Sequence, residues 1–185
     1  MAILRGIKLC TALAALALFF MPWLDIQCSG KSIATQTGFQ TITGDATPSE
    51  EMRADQAQGG KRNEPLGTAT MVAAALIATI IAIMLLASAV LKGSYALDRA
   101  GSAICAIALL LLIVQAMLGL PAKDELVAAI STDQATNEVD MASALATQVM
   151  ANLKVDILPA FYFTCVLLGI PVLLLLYQLV DRLRD

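Results

Sequence analysis

Four long apolar runs constrain the fold of this chain more than any other feature of its sequence. They cover residues 9–24, 67–91, 101–120 and 157–180, and none of them contains Asp, Glu, Lys or Arg. A helix that crosses the hydrocarbon core of a bilayer needs about 20 predominantly apolar residues. The sequence therefore predicts an all-α integral membrane protein, a single domain over 1–185 with transmembrane helices at about 7–24, 67–91, 99–120 and 157–180.

The composition agrees with lipid as the main solvent. Of the 185 residues, 58% are hydrophobic and 15% are charged, whereas a soluble domain carries about 25% charged residues. The two stretches that lie between the predicted helix pairs, residues 25–66 and 121–156, are long enough to form sizeable loops outside the bilayer.

The basic residues predict how the chain is threaded through the membrane. Half of them lie near the two termini or in the short connection between the second and third helices, namely Arg5, Lys8, Lys92, Arg99, Arg182 and Arg184. Short segments rich in Lys and Arg stay in the cytoplasm. Both termini are therefore predicted to be cytoplasmic and both long loops periplasmic. Alanine-rich helices and acidic loops favour a bacterial inner membrane, and the acidic balance argues against nucleic acid as a partner.

The first long loop is predicted to begin with a β-hairpin over 25–43. Ile26 and Cys28 alternate with polar residues, and residues 29–31 have turn chemistry. A turn at 29–30 places Ile26 opposite Ile33, and a turn at 30–31 places Cys28 there. Both registers put Ile26, Cys28 and Ile33 on one face. Residues 39–43 are predicted to add a third short strand, and the composition of 45–65 predicts an extended linker.

The second long loop, residues 121–156, is predicted to be helical. Met141, Leu145, Val149 and Leu153 recur at helical spacing, which predicts an amphipathic helix over 139–155. This helix is expected either to lie on the outer membrane surface or to cap the hairpin region. The hairpin face that carries Ile26, Cys28 and Ile33 is expected to be covered by this helix or by a partner subunit.

Two sets of residues are predicted to mediate packing. The partner-facing set combines loop apolar side chains with an aromatic anchor and consists of Trp23, Ile26, Cys28, Ile33, Phe39, Leu145, Val149 and Leu153. Inside the third helix, Gly101 and Cys105 have the small-xxx-small spacing that lets helices approach closely in lipid. Gln115, the single polar residue well inside that helix, is predicted to form an interhelical hydrogen bond.

The residue inventory argues against catalysis. The chain has no histidine, which removes the usual ligand of haem and of catalytic zinc and the commonest general base. Proton pathways normally display ionisable groups inside the spans, and the four apolar runs contain no Asp, Glu, Lys or Arg. Cys10, Cys28, Cys105 and Cys165 are far apart in sequence, without the close pair that thiol redox chemistry uses. The expectation is no enzyme activity, no cofactor and no metal.

In topology the chain resembles claudin-like tetraspan proteins, which have short cytoplasmic ends, a large β-patterned first outer loop and a smaller second one. That family also carries a Gly-Leu-Trp element and two loop cysteines that pair. Here Cys28 is the single loop cysteine, so the resemblance covers architecture alone.

The combined interpretation is a non-catalytic accessory subunit of a larger bacterial membrane complex. It would pack laterally against other integral subunits and lipids through small-residue helix faces and clamp partners with its outer loops. The alternative is a homo-oligomeric pore or carrier for an uncharged substrate, with Gln115, Gly169 and Pro171 lining the path.

Overall fold

A computed structural model of the chain describes residues 2–50, 53–54, 68–119 and 153–184. The chain divides into two compact units. The helical unit comprises Met1–Met21, Thr70–Leu118 and Pro159–Asp185, and the β unit comprises Pro22–Ala69 and Gly119–Leu158.

Four helices build the helical unit: α1 (Ala2–Leu18), α3 (Thr70–Lys92), α4 (Tyr95–Leu118) and α5 (Pro159–Arg184). The last three correspond to the spans predicted at 67–91, 99–120 and 157–180, and each is long and apolar enough to cross a membrane. These three helices indicate a membrane-embedded protein. Gly93 separates α3 from α4 with a φ of 66°, the left-handed conformation that commonly ends a helix.

The first predicted span differs from the structure. Helix α1 has 17 residues, which is about 26 Å at 1.5 Å per residue, and a fourth span is not shown. After Leu18 the amides of Phe19, Phe20 and Met21 bond to carbonyls three residues back, and the chain enters a strand at Pro22. The prediction over 7–24 was wrong at its end because proline cannot continue the helix and Trp23 and Leu24 join a sheet instead.

The four helices pack as a ring in which α1 and α4 each lie between α3 and α5. Their buried residues recur every three or four positions. On α3 these are Val72, Ala75, Thr79, Ala82, Leu86 and Ala89. On α4 they are Asp98, Gly101, Ser102, Cys105, Ala108, Leu112 and Gln115. A repeat near 3.5 residues suits helices that cross at a shallow angle, and the small residues let α3 and α4 approach closely.

Gly101 marks the tightest approach of α3 and α4 among the described glycines of the helical unit. A Cβ at this position would lie 2.8 Å from Leu86 Cγ and 3.2 Å from the carbonyl oxygen of Ala82. At Gly6 on α1, by contrast, nothing lies within 4 Å of the same added atom. The same substitution can therefore be compared at a crowded position, Gly101, and at an open one, Gly6.

Gly101→Leu is expected to destabilise the helical unit by about 3 kcal/mol, because overpacking forces α3 and α4 apart. Gly6→Leu, the matched control, is expected to be neutral or stabilising by up to about 1 kcal/mol, because it replaces a poor helix former on an open surface. Denaturation by sodium dodecyl sulfate in mild detergent measures both. Equal effects of the two substitutions would contradict this packing.

The β unit contains an antiparallel sheet in the order β3-β2-β1-β4. Its strands are β1 (Pro22–Cys28), β2 (Lys31–Thr37), β3 (Thr47–Pro48) and β4 (Leu153–Ile157). The predicted hairpin is present as β1–β2, with its turn at Ser29 and Gly30, whose φ angles of 52° and 80° match the favoured two-residue hairpin turn.

The residue pairing in this hairpin differs from the predicted pairing. A bulge between Ile26 and Gln27 places Ala34, not Ile33, opposite Ile26. A bulge adds one residue to one strand, and Ile33 is that extra residue. The predicted pairing of Ile26 or Cys28 with Ile33 is therefore wrong, since Cys28 lies opposite Lys31.

The predicted third strand at 39–43 is also wrong, because a single helical turn, α2 (Gln40–Thr43), occupies its place. The Gln40 amide donates to Thr37 Oγ1 at 3.1 Å, and the Thr37 amide donates to Gln40 Oε1 at 3.0 Å. This reciprocal pair is that of a capping box, Thr-x-x-Gln, which starts helices. Thr47–Pro48 forms the third strand instead.

Strand β4 differs from the structure predicted for the second long loop. The predicted amphipathic helix over 139–155 overlaps Leu153–Ile157, where the chain is extended and pairs with β1. Apolar and polar residues alternate there with period two, which favours a strand. The rest of the predicted helix lies outside the described residues.

Candidate functional site

A buried ion pair joins three helices of the helical unit. Lys8 Nζ of α1 donates to Asp98 Oδ2 of α4 at 2.9 Å and to Gln178 Oε1 of α5 at 3.1 Å. The side chains of Lys8 and Asp98 are 0% and 1% exposed, and Gln178 is also buried. We call these three residues the Lys8 network.

From the sequence, Lys8 and Asp98 were interpreted as charges that flank the apolar runs. In the structure both are buried, and Asp98 lies within the first turn of α4. A signal for its burial was present. Lys8 precedes buried Ala12 by four residues, and Asp98 precedes buried Gly101 by three, so each charge continues the core-facing row of its own helix.

The Lys8 network is closed to solvent, and its hydrogen bonds are to groups of the helical unit. Lys8 uses two of its three protons, and the Ser102 hydroxyl donates to the backbone carbonyl of Asp98 at 2.9 Å. Asp98 Oδ1 has no hydrogen-bond partner among the described residues. A buried pair gains little over apolar packing, yet removing one partner leaves a charge that lipid and protein cannot solvate. The network thus fixes α1 against α4 and α5.

A second group of cations lies at the same end of the helical unit. The guanidinium of Arg99 stacks over the Tyr95 ring, 4.5 Å from its centroid. Arg99 Nε is buried without a hydrogen-bond partner in the described structure. Arg5 Nη1 lies 3.8 Å from the point that a Cβ on Gly93 would occupy. Both arginines therefore lie beside the α3–α4 turn.

The predicted partner-facing residues have different environments in the β unit. Trp23 and Ile26 are each 1% exposed, so they form its core and leave no free surface. Cys28 and Ile33 are half-buried, Phe39 is 44% exposed, and Leu153 lies opposite Cys28 at the start of β4. Leu145 and Val149 lie outside the described residues.

The predicted helix-packing residues share the buried face of α4. Gly101, Cys105 and Gln115 all lie on it, with Gly101 against Leu86 of α3. All four cysteines of the chain are free. Cys10 is the exposed one, and Cys105 is buried.

The other face of the sheet is polar. Asp25 accepts hydrogen bonds from the side chains of Ser32 and Gln27 and lies opposite Asp156 on β4. Lys154 pairs with Asp156 at 2.9 Å, which offsets the repulsion between two facing carboxylates. Among the described residues, no group of three or more Cys, Asp or Glu could hold a metal ion.

No protein-family model, curated protein or solved structure matches the chain.

Proposed function

We propose that the chain is a non-catalytic subunit of a larger membrane protein complex of the bacterial inner membrane. In this proposal α1 crosses the membrane beside the three longer helices, both termini are cytoplasmic, and the β unit lies in the periplasm. Its role is assembly: the helical unit docks laterally on integral subunits, and the β unit contacts their periplasmic surface.

The closed Lys8 network is the observation that carries this proposal. Ionisable groups inside transmembrane segments face the bundle interior or a water-filled cavity and pair with one another. Lys8 and Asp98 are bonded to each other, with side-chain exposures of 0% and 1%. Such a network holds helices in register, and its two charges are shielded from solvent. The charge arrangement supports a structural role over that of a pump.

The geometry gives no support to a homo-oligomeric pore. Pro171 and Gln115 are buried within the helical unit. A Cβ added to Gly169 would lie 4.0 Å from Leu109 Cδ2. The burial of Pro171 and Gln115 favours the subunit role over a lumen between copies. The outward side chains of the three long helices are mainly Ile, Leu, Met, Val, Phe and Tyr, which suit lipid.

Helix α1 offers the face for lateral docking. The buried small residues of α3 and α4 pack inside the chain. On α1, Gly6 has open space around it, and Cys10 and Ala14 are exposed. Their spacing of four residues places all three on one side of the helix. A partner helix could approach closely there.

Site-specific photo-crosslinking in cells tests the proposal. A photoreactive residue at Ala14, on the small face of α1, is expected to give an adduct with another membrane protein. The same residue at Ile81, which is 45% exposed on α3, is the matched control and is expected to give lipid adducts or none. Mass spectrometry of the adduct identifies the partner.

Two results would count against the subunit role. An adduct of two copies of this 19.5 kDa chain would support a homo-oligomer instead. Absence of any protein adduct at Ala14, together with a monodisperse single chain after purification in mild detergent, would contradict a permanent complex.

A further inference from the structure

We propose that Arg5 and Arg99 bind the phosphate of an anionic phospholipid headgroup beside the α3–α4 turn. This inference goes beyond the proposed assembly role and does not depend on it. It requires only that the helical unit is embedded in a membrane.

Two helices bring the arginines to this turn. Arg5 extends from α1 to within 3.8 Å of the Cβ position of Gly93. Arg99, one turn after the start of α4, stacks on Tyr95 at 4.5 Å. The stacking fixes the plane of the Arg99 guanidinium. Both charges therefore lie at the same end of the helical unit, next to residues 93–95.

Neither arginine has its charge matched within the described structure. The described acidic residues at this end are Asp98, whose ion pair is with Lys8 at 2.9 Å, and Asp181, which is exposed. Arg99 Nε is buried and donates to no described group, and no carboxylate lies within 4.0 Å of Arg5 or Arg99 in the described ranges. A guanidinium presents a planar fork of donors that suits the oxygens of a phosphate.

The surroundings favour a lipid phosphate over a soluble one. Lys92, exposed at the end of α3, adds a further positive charge. Leu91 next to it and Leu183 near the end of α5 are each 86% exposed. Cationic and apolar side chains thus adjoin at this end, as they do where a membrane surface meets acyl chains. Basic pockets between transmembrane helices bind anionic headgroups in this setting.

Native mass spectrometry of the full chain in detergent tests the assignment. The chain is titrated with phosphatidylglycerol and with phosphatidylcholine of identical acyl chains. We expect phosphatidylglycerol to bind about tenfold more tightly, since charge-assisted hydrogen bonds to phosphate distinguish it from a zwitterionic lipid whose phosphate is already paired. Equal binding of the two lipids would overturn the proposal.

Variants locate the site. R5Q/R99Q is expected to lose the tenfold preference, whereas K154Q, which removes an exposed charge of the β unit, is expected to keep it. R5Q alone, at a half-buried position, is expected to lower the preference severalfold and serves if the double variant does not fold. An unchanged preference in R5Q/R99Q, or in R5Q where the double variant does not fold, would overturn the assignment.

Competition with inorganic phosphate distinguishes a lipid headgroup from free phosphate as the ligand. At millimolar concentration it is expected to leave bound phosphatidylglycerol in place, because it lacks the acyl chains that Leu91 and Leu183 would contact. Complete displacement of the lipid would show a site for free phosphate and overturn the lipid assignment. Both outcomes are independent of whether Ala14 crosslinks to a partner.

Discussion

Asp98→Ala is expected to lower the free energy of unfolding of the helical unit by about 3–5 kcal/mol, because it leaves the Lys8 ammonium buried without a counter-charge. Gln178 remains as an acceptor at 3.1 Å, but an amide oxygen cannot neutralise the charge. Denaturation by sodium dodecyl sulfate in mild detergent, followed by circular dichroism, measures the change.

Asp156→Ala is the matched control for this substitution. It also removes a carboxylate that pairs with a lysine at 2.9 Å, but the side chains of Lys154 and Asp156 are 70% and 37% exposed. Water solvates the remaining lysine, so the expected cost is no more than about 1 kcal/mol. A similar loss from both substitutions would show that the burial of Lys8 has no energetic consequence.

Trp23→Ala is expected to destabilise the β unit by about 3–5 kcal/mol, the usual cost of truncating a fully buried tryptophan. Trp23 is 1% exposed, and its ring atoms lie 2.6–2.9 Å from the point that a Cβ on Gly38 would occupy. The backbone at Gly38 therefore packs directly on the indole, and the substitution leaves a cavity there.

Hydrogen exchange of the β1 and β2 amides measures this change. Exchange in Trp23→Ala is expected to be at least about a hundredfold faster, since each tenfold step corresponds to about 1.4 kcal/mol. Phe39→Ala removes an aromatic side chain that is 44% exposed and is expected to change exchange by less than about tenfold. Unchanged protection in Trp23→Ala would contradict its place in the core.

The sequence was most informative where one local rule decided the structure. Apolar runs of at least twenty residues located α3, α4 and α5. The Ser29-Gly30 turn was among the two registers considered. In each case the deciding residues are adjacent in the chain, so no distant contact was needed.

Long-range pairing explains most of what the sequence did not reveal. Strand β4 pairs with β1 across more than a hundred residues of sequence. In the sequence around Leu153, apolar residues fit a helical spacing and a strand alternation equally well. The bulge that replaces Ile33 by Ala34 opposite Ile26 also depends on the sheet as a whole. The Thr37-x-x-Gln40 capping box, by contrast, is local and was a readable signal.

The candidate site was missed because charges next to the apolar runs were interpreted as flanking charges. Lys8 and Asp98 are 90 residues apart in the chain, and each looks like an ordinary flanking charge when its own helix is considered. Their phase with the buried rows of α1 and α4 is visible in sequence. Which acidic residue Lys8 would meet depends on the ring order of the helices, which no single segment specifies.

A double-mutant cycle across Lys8 and Asp98 tests the central claim, that a closed ion pair holds the helices together. Wild type, Lys8→Met, Asp98→Ala and the double variant are compared by their free energies of unfolding in detergent. The double variant is expected to be more stable than Asp98→Ala, with a coupling energy of at least about 2 kcal/mol. Effects that add to within about 0.5 kcal/mol would contradict a direct, buried Lys8–Asp98 contact.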